Sequence, residues 1–192
     1  MKIFISKISL SIILMIGILV SNCQNTNAED NNGIYTIDKI TKGTDFPNTV
    51  SKGTVFPDFN WEVNGKKVSF KEFTKGKVVF LNYWGTWCGP CRREIPYLIE
   101  IAKELKEKDF VIIGVPSERN PKKAVNLVTN YVKKSGINYI NIIDTKHEFG
   151  NLLKIRAVPT TYIIGQDGAI SEIIVGGKNK AGFMRAINKV LD

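Results

Sequence analysis

The sequence is poor in the residues that build metal sites and disulfide scaffolds. Its 192 residues include three cysteines and one histidine, His147. A structural zinc ion needs about four ligands, commonly two cysteine pairs or one pair with histidines, and only Cys88 and Cys91 are closely spaced here. The 43% of hydrophobic residues suffice for a core that needs no disulfide scaffold. We therefore expect no metal and no bound cofactor, and we interpret His147 as a surface residue.

Long basic runs are also absent. The formal net charge is +9, from 27 basic and 18 acidic residues, but no run of five or six basic residues occurs. Proteins dedicated to nucleic-acid binding concentrate such charges on one face or in one run. The sequence thus predicts no nucleic-acid partner. A solvated lysine-rich surface is the simplest interpretation, and acidic partners or an anionic membrane surface are the alternatives.

No apolar run is long enough to cross a membrane. Residues 8–20 form a 13-residue apolar stretch behind Lys2 and Lys7, whereas a membrane-spanning helix needs about 20 residues. This short stretch behind a positive start is typical of a signal peptide, which we place at residues 1–22. The protein is therefore expected to be extracytoplasmic, in the periplasm or on the outer face of the cell membrane.

The residues that follow resemble a lipid-attachment signal. "LVSNC", residues 19–23, is similar to the bacterial lipobox, in which the cysteine is lipidated and becomes the mature N-terminus. Asn22 departs from the usual Gly, Ala or Ser. We predict lipidation of Cys23, with two alternatives: cleavage after Ala28, which has Thr26 at the other favoured small position, and an uncleaved anchor.

The remaining chain divides into a linker and one α/β domain. Residues 23–52 are polar at their start and weakly patterned, which indicates a lipid-anchored tether. Residues 53–192 alternate apolar runs with amphipathic segments, which predicts a central mixed sheet flanked by helices. The predicted elements are a hairpin turning at Asn64-Gly65, buried strands at 77–84 and 110–117, a helix over 88–108, a helix opening at Asn120-Pro121, a strand at 137–143, a hairpin turning at 166–168 and a last helix capped by Asn179.

Cys88 and Cys91 are better suited to redox chemistry than to holding the fold together. A disulfide that closes so short a loop removes little entropy from the unfolded chain, so it stabilises the fold little. Cys88 comes between a predicted buried strand and a predicted helix. Helix N-termini favour a thiolate, which is both the nucleophile and a good leaving group in disulfide exchange. We predict that Cys88 attacks and that Cys91 resolves the mixed disulfide.

Several motifs together resemble the thioredoxin fold, and more closely the membrane-tethered TlpA/ResA-like thiol-disulfide oxidoreductases. The resemblance covers about residues 53 to 192. It rests on these motifs: "GTVFPDF" at 53–59, "NGKKVSFKEFTKGK" at 64–77, "FLNYWGTWCGPCRREIPYL" at 80–98 and "AVPTTYII" at 157–164.

The resemblance implies roles for further residues. Pro159 matches the proline that thioredoxin-fold proteins hold cis beside the active site. Glu94 matches an acid that ResA-like members use to tune the cysteines and move protons, with a plain surface acid as the alternative. Asn82 stands where thioredoxin keeps a buried proton-relaying acid, which an amide cannot replace. The expected catalytic residues are Cys88, Cys91, Glu94 and Pro159, and the residues expected to shape the active site and its peptide-facing surface are Trp84, Trp87, Gly89, Pro90 and Asn82.

The expected function is extracytoplasmic disulfide chemistry. The resemblance implies an enzyme that reduces disulfides in exported proteins, with a membrane thiol as electron donor and apocytochrome c as the best-known substrate class. A monomer is the simplest expectation for its oligomeric state. An oxidant that inserts disulfides is the alternative within the same chemistry, and a binding module without turnover is the alternative outside it. A peroxidase fits the CxxC arrangement poorly.

Overall fold

The computed structural model describes residues 33–37, 39–43, 46–47, 49–63 and 66–191. The predicted signal peptide and Cys23 lie outside these residues. In chain order the elements are β1 (Ile34–Thr36), β2 (Lys39–Lys42), β3 (Phe59–Val63), β4 (Lys66–Ser69), α1 (Phe70–Phe73), β5 (Val78–Trp84), α2 (Gly89–Glu104), β6 (Phe110–Pro116), a 3₁₀ turn (Pro121–Lys123), α3 (Ala124–Ser135), β7 (Ile140–Ile143), α4 (Glu148–Leu152), β8 (Thr160–Ile164), β9 (Ile170–Val175) and α5 (Lys180–Ile187).

A mixed sheet with the order β1-β7-β6-β5-β8-β9 forms the centre of the fold. Strands β1, β7, β6 and β5 are mutually parallel, whereas β8 and β9 are antiparallel to their neighbours. The predicted N-terminal hairpin is confirmed as β3 and β4, and β2 joins it to form a separate three-stranded sheet. Every residue of β5 is buried, which explains its continuous apolar run.

Alternate side chains of β5 supply two hydrophobic cores. Phe80 and Trp84 belong to the core that includes apolar residues of α2, α3 and α5, whereas Val79, Leu81 and Tyr83 belong to the core that includes Phe149 of α4 and aromatic residues of the small sheet. Successive side chains of a strand point to opposite faces, so one run of seven residues serves both cores. The predicted mixed sheet flanked by helices is confirmed.

Helix boundaries are set by capping side chains. The Cys88 sulfur caps α2, and the Asn179 side chain accepts a hydrogen bond from the Gly182 amide at the predicted start of α5. Helix α2 ends at Glu104, four residues before its predicted end. Asn120 caps the 3₁₀ turn rather than a helix, and α3 begins only at Ala124.

Residues 34–42 correct the predicted domain boundary. They lie within the segment interpreted as a tether, yet β1 pairs with β7 and β2 pairs with β3. Ile34 and Ile37 are buried in the two cores, which explains why this short apolar stretch is held. The folded domain therefore includes residues well before 53. Among the residues that the structure describes, no helix is long and apolar enough to span a membrane.

Candidate active site

Cys88 and Cys91 form a disulfide at the start of α2. The S–S distance is 2.06 Å and the two Cα atoms are 5.3 Å apart. Cys88 is the N-cap residue, and its sulfur accepts a hydrogen bond from the Cys91 amide at 3.2 Å. Both residues are buried, with exposed fractions of 4% and 0%. The pair thus lies at the helix N-terminus where the strand–turn–helix pattern predicted it.

The loop before the cysteines is held tightly against the loop after β6. The Trp87 indole N–H donates to the Ser117 carbonyl oxygen at 3.1 Å, and the Arg119 guanidinium stacks 4.2 Å from the Trp87 ring centroid. Gly85 has no room for a side chain, because a Cβ atom there would lie 2.6 Å from the Trp87 indole nitrogen and 2.9 Å from the Ser117 carbonyl oxygen. Trp87 is nevertheless 41% exposed, so it forms part of the surface beside the disulfide.

Glu118 is a buried carboxyl group that sequence reasoning did not find. It accepts hydrogen bonds from the Thr86 backbone amide at 2.7 Å and from the Thr86 hydroxyl at 2.9 Å. Thr86 follows β5 and Glu118 follows β6, and parallel neighbouring strands end at the same edge of a sheet. The predicted neighbouring strands before Thr86 and Glu118 were the signal that could have indicated this contact.

Glu94 lies on the buried face of α2, near the start of the helix, so it is not a surface acid. Its side chain is 1% exposed, and Oε1 accepts a hydrogen bond from the Asn82 amide nitrogen at 3.0 Å. No hydrogen-bond partner of Oε2 is found among the described residues. Burial raises the pKa of Glu94 to about 7, although the Asn82 amide and, more weakly, the nearby Lys178 backbone amide favour the carboxylate.

Asn82 orients Glu94 rather than relaying a proton. The Asn82 amide nitrogen donates to both Glu94 Oε1 and the Thr161 hydroxyl, the latter at 2.9 Å. Thr161 lies directly opposite Asn82 in the β5–β8 pairing, so the strand register places the two side chains together. Sequence reasoning missed Thr161, although its position two residues after Pro159 on an apolar strand was visible.

The peptide bond between Val158 and Pro159 is cis, as predicted. The β5–β8 register pairs Tyr83 with Thr160, so Pro159 lies at the edge of the sheet where β5 leads to the cysteines. The Pro159 carbonyl oxygen already accepts a hydrogen bond from the Gly176 amide at 2.9 Å. Within the described part of the chain, neither backbone group of Val158 takes part in a hydrogen bond.

The other predicted shaping residues differ in their exposure. Trp84 is fully buried, and its indole N–H donates to Asn141 Oδ1 at 3.3 Å, so it supports the core and cannot be part of a peptide-facing surface. Gly89 and Pro90 are exposed in the first turn of α2. A Cβ atom at Gly89 would meet only the Arg93 guanidinium at 3.6 Å, an ordinary contact.

A second polar cluster lies at the same sheet edge, and it corrects the interpretation of His147. His147 is half-buried, and its Nδ1 is 2.7 Å from the Ser117 hydroxyl. Nearby, Asp144 Oδ2 accepts hydrogen bonds from the Tyr83 hydroxyl at 3.3 Å and from the Gly150 amide at 3.1 Å. Across the described residues, no group of three or more potential metal-ligating side chains is assembled.

Comparison with known proteins agrees with this site. Residues 51–190 match the Redoxin family. The chain belongs to that family. The thiol-disulfide oxidoreductase ResA of Bacillus subtilis (strain 168) is 32% identical over 139 residues, which cover 72% of this chain and 70% of that protein. With its Cys88–Cys91 pair, this Redoxin-family protein is a ResA-like protein thiol-disulfide oxidoreductase.

Solved structures show the same thioredoxin-like fold. A thiol:disulfide interchange protein of the thioredoxin family from Chlorobium tepidum TLS superposes with a TM-score of 0.62 and 29% identity, covering 74% of this chain and 99% of that one. StoA from Bacillus subtilis superposes with a TM-score of 0.53 and 21% identity, covering 64% of this chain and 89% of that one. The second likeness concerns the fold alone.

Proposed function

We propose that this Redoxin-family enzyme reduces disulfides in exported proteins outside the cytoplasm. The observation that carries the proposal is the buried Glu94, which lies one helical turn after Cys91 and has a pKa raised to about 7 by burial. A carboxyl group that titrates near neutral pH can take a proton from a thiol and return it to solvent within one cycle.

The proposed reaction exchanges one disulfide for another. The Cys88 thiolate attacks a substrate disulfide, so that a Cys88–substrate bond forms and one substrate thiolate leaves. Cys91 loses its proton to Glu94 and attacks the Cys88 sulfur. The Cys88–Cys91 disulfide then forms and the second substrate thiolate leaves. Two electrons have passed to the substrate, and an external dithiol restores the enzyme by the same steps in reverse. No cofactor beyond the cysteine pair is required.

Backbone pairing would position the substrate. Pro159 was expected to present its backbone to the substrate, but it has no N–H and its carbonyl oxygen is occupied. The preceding residue, Val158, is better suited to that role. An extended substrate segment can pair with open backbone groups as an added strand does. The exposed Trp87 ring offers an apolar contact beside this segment.

The proposed location and partners follow from the N-terminal sequence and the resemblance. Residues 1–22 would direct export, and lipidation of Cys23 would anchor a monomeric enzyme to the membrane. A membrane thiol protein would supply electrons, and apocytochrome c is one substrate that fits the proposal. Labelling cells with a fatty acid should mark the protein, and export without labelling would contradict the lipid anchor.

The reduction potential of the Cys88–Cys91 pair tests the direction of the reaction. We would measure it in the full chain carrying Cys23→Ser, so that no third thiol interferes. A reductant should titrate near the roughly −270 mV of thioredoxin, whereas a value near about −120 mV would indicate disulfide insertion instead. Absence of a titratable couple would reject turnover and leave a binding module.

A further inference from the structure

The surface at the redox end of the sheet carries exposed charge of one sign only. Five segments meet where β5 leads to the cysteines: residues 85–93, 117–123, 144–147, 153–159 and 176–179. Every exposed side chain of these segments that is charged at neutral pH is basic, namely Arg92, Arg93, Arg119, Lys122, Lys123, Lys146, Lys154, Arg156 and Lys178. We call this set of side chains the basic face.

The carboxyl groups at this end of the sheet are withdrawn from the surface. Glu118 and Asp144, the acidic residues of the five segments, are 3% and 1% exposed, and both accept hydrogen bonds from protein donors. Glu94, just after the first segment, is also buried. Glu148, just after the third, is half-buried and accepts a hydrogen bond from the Ile40 amide at 2.8 Å. A docked protein therefore meets positive charge here.

The opposite end of the sheet shows that this is a local feature. The segments at that end are residues 74–77, 105–109, 136–139 and 165–169. Their exposed charged side chains are of both signs: Lys75, Lys77, Lys106 and Lys108 are basic, and Glu107, Asp109 and Asp167 are acidic. The net charge of +9 for the whole chain therefore does not by itself explain the single sign at the redox end.

Two guanidinium groups of the basic face lie against the residues on either side of Cys88. Arg119 stacks on the exposed Trp87 ring, 4.2 Å from its centroid. Arg93 Nη1 lies 3.6 Å from the position that a Cβ atom would occupy on the exposed Gly89. The ion pairs found among the described residues involve neither arginine. A disulfide that approaches Cys88 therefore arrives between two exposed cations.

We propose that this enzyme prefers disulfides whose neighbouring residues are aspartate or glutamate, and that Arg93 and Arg119 set this preference. A guanidinium group pairs with a carboxylate through two parallel hydrogen bonds. A surface of one sign also speeds the encounter with a partner of the opposite sign. An anionic membrane fits this face less well, because contact with it would cover the disulfide. The proposal rests on the proposed function, since it names the substrates of the same site.

Three peptides test the preference. Each is closed by one disulfide, and they differ only in the residues next to the cysteines, which are aspartate, asparagine or lysine. We would measure kcat/KM with a dithiol donor for the full chain carrying Cys23→Ser in detergent, and divide each value by the rate with the dithiol alone. At low ionic strength the aspartate peptide should react about tenfold or more faster than the lysine peptide. In about 0.5 M salt this ratio should fall toward one.

Matched variants assign the preference to the two arginines. In Arg93→Gln/Arg119→Gln the ratio should fall to about twofold or less, whereas Arg93→Lys/Arg119→Lys keeps both charges and should retain most of it. Lys133→Gln/Lys134→Gln removes the same charge from the exposed end of α3, before β7, and should keep the wild-type ratio. Equal ratios in the arginine-to-glutamine and lysine-to-glutamine variants would overturn the proposal.

The wild-type rates separate this proposal from the proposed function. Equal reduction of the three peptides would overturn the preference and leave the reductase intact. Reduction of none of them would reject the proposed function, and the preference with it. Vesicles of phosphatidylglycerol and phosphatidylcholine test the membrane alternative by flotation. Arginine-dependent flotation without a peptide preference would assign the basic face to a membrane and overturn the proposal.

Discussion

Two buried carboxyl groups at one edge of the sheet, those of Glu94 and Asp144, differ in the hydrogen-bond donors around them. Glu94 and Asp144 are each 1% exposed, burial raises the pKa of both, and each has one oxygen without a hydrogen-bond partner among the described residues. Glu94 receives the Asn82 side-chain amide and, more weakly, the Lys178 backbone amide. Asp144 receives the Gly150 amide and the Tyr83 hydroxyl, and the charge of nearby His147 further lowers its pKa against the effect of burial.

If Glu94 acts as proposed, the reactive carboxyl group and the structural one differ in their hydrogen-bond donors rather than in their burial. The Gly150 amide belongs to α4, so Asp144 joins that helix to Tyr83 on β5. Tyr83 in turn has its pKa raised to about 12, mainly by burial, and remains a donor. Glu94 has fewer donors and lies on the helix of the cysteines.

Loss of the nucleophile, Cys88, should abolish disulfide reduction. We expect Cys88→Ala to show no disulfide reduction above a variant lacking both active-site cysteines, because no mixed disulfide can form. Turnover of insulin disulfides with a dithiol donor measures this, with Cys23→Ser as the control that should keep full activity. Residual turnover in Cys88→Ala would show that another residue is the nucleophile.

Loss of the Asp144 carboxyl group should destabilise the fold and leave the redox couple intact. Asp144→Ala leaves the Tyr83 hydroxyl and the Gly150 amide without their acceptor. At about 2 kcal/mol for each buried donor, we expect a loss of about 4 kcal/mol in the free energy of unfolding. Guanidinium denaturation measures the loss, and Asp144→Asn, which keeps an acceptor oxygen, should lose less. A large shift in reduction potential would contradict the structural role.

Glu94 should make stability depend on pH in a defined direction. Its pKa rises from 4.5 in the unfolded chain to about 7 in the fold, so the folded state binds the proton more tightly. The stabilisation is complete below about pH 4.5 and is lost as the pH rises to about 7. At 1.36 kcal/mol per pKa unit, wild type should lose about 3 kcal/mol relative to Glu94→Gln across this range. A pH-independent difference between the two unfolding free energies would show that Glu94 is not tuned by burial.

Gly89 should tolerate a side chain, unlike Gly85. Gly89→Ala adds a methyl group that meets only the Arg93 guanidinium at an ordinary contact distance, so it should change the free energy of unfolding by no more than about 0.5 kcal/mol. Gly85→Ala is the matched variant, and it should be clearly destabilising because its Cβ atom would clash with Trp87 and Ser117. Thermal unfolding of both variants measures the contrast. Equal destabilisation would mean that the space around Gly89 has been misjudged.

The sequence predicted the structural features that depend on short stretches of chain. The buried run of β5, the Asn179 cap and the two hairpins are local patterns, and each is present in the structure. Contacts between distant residues were not predictable in this way. Thr161 meets Asn82 only through the β5–β8 register, and Glu118 meets Thr86 only because two parallel strands end together. Because side chains alternate along a strand, Trp84 lies on the same face of β5 as Phe80. This alternation could have predicted that Trp84 is buried in the core.

The short strand β1 fixes where the chain enters the folded domain relative to the redox pair. Because β1 runs parallel to β5 through β7 and β6, the chain enters the domain at the end of the sheet opposite the cysteines. The seven residues of β5 span about 20 Å at 3.3 Å per residue. If the protein is anchored at its N-terminus, as proposed above, the strand by which the chain enters the folded domain starts at the end of the sheet opposite the redox pair. A substrate or an electron donor would then meet the disulfide at the end of the sheet away from that entry point.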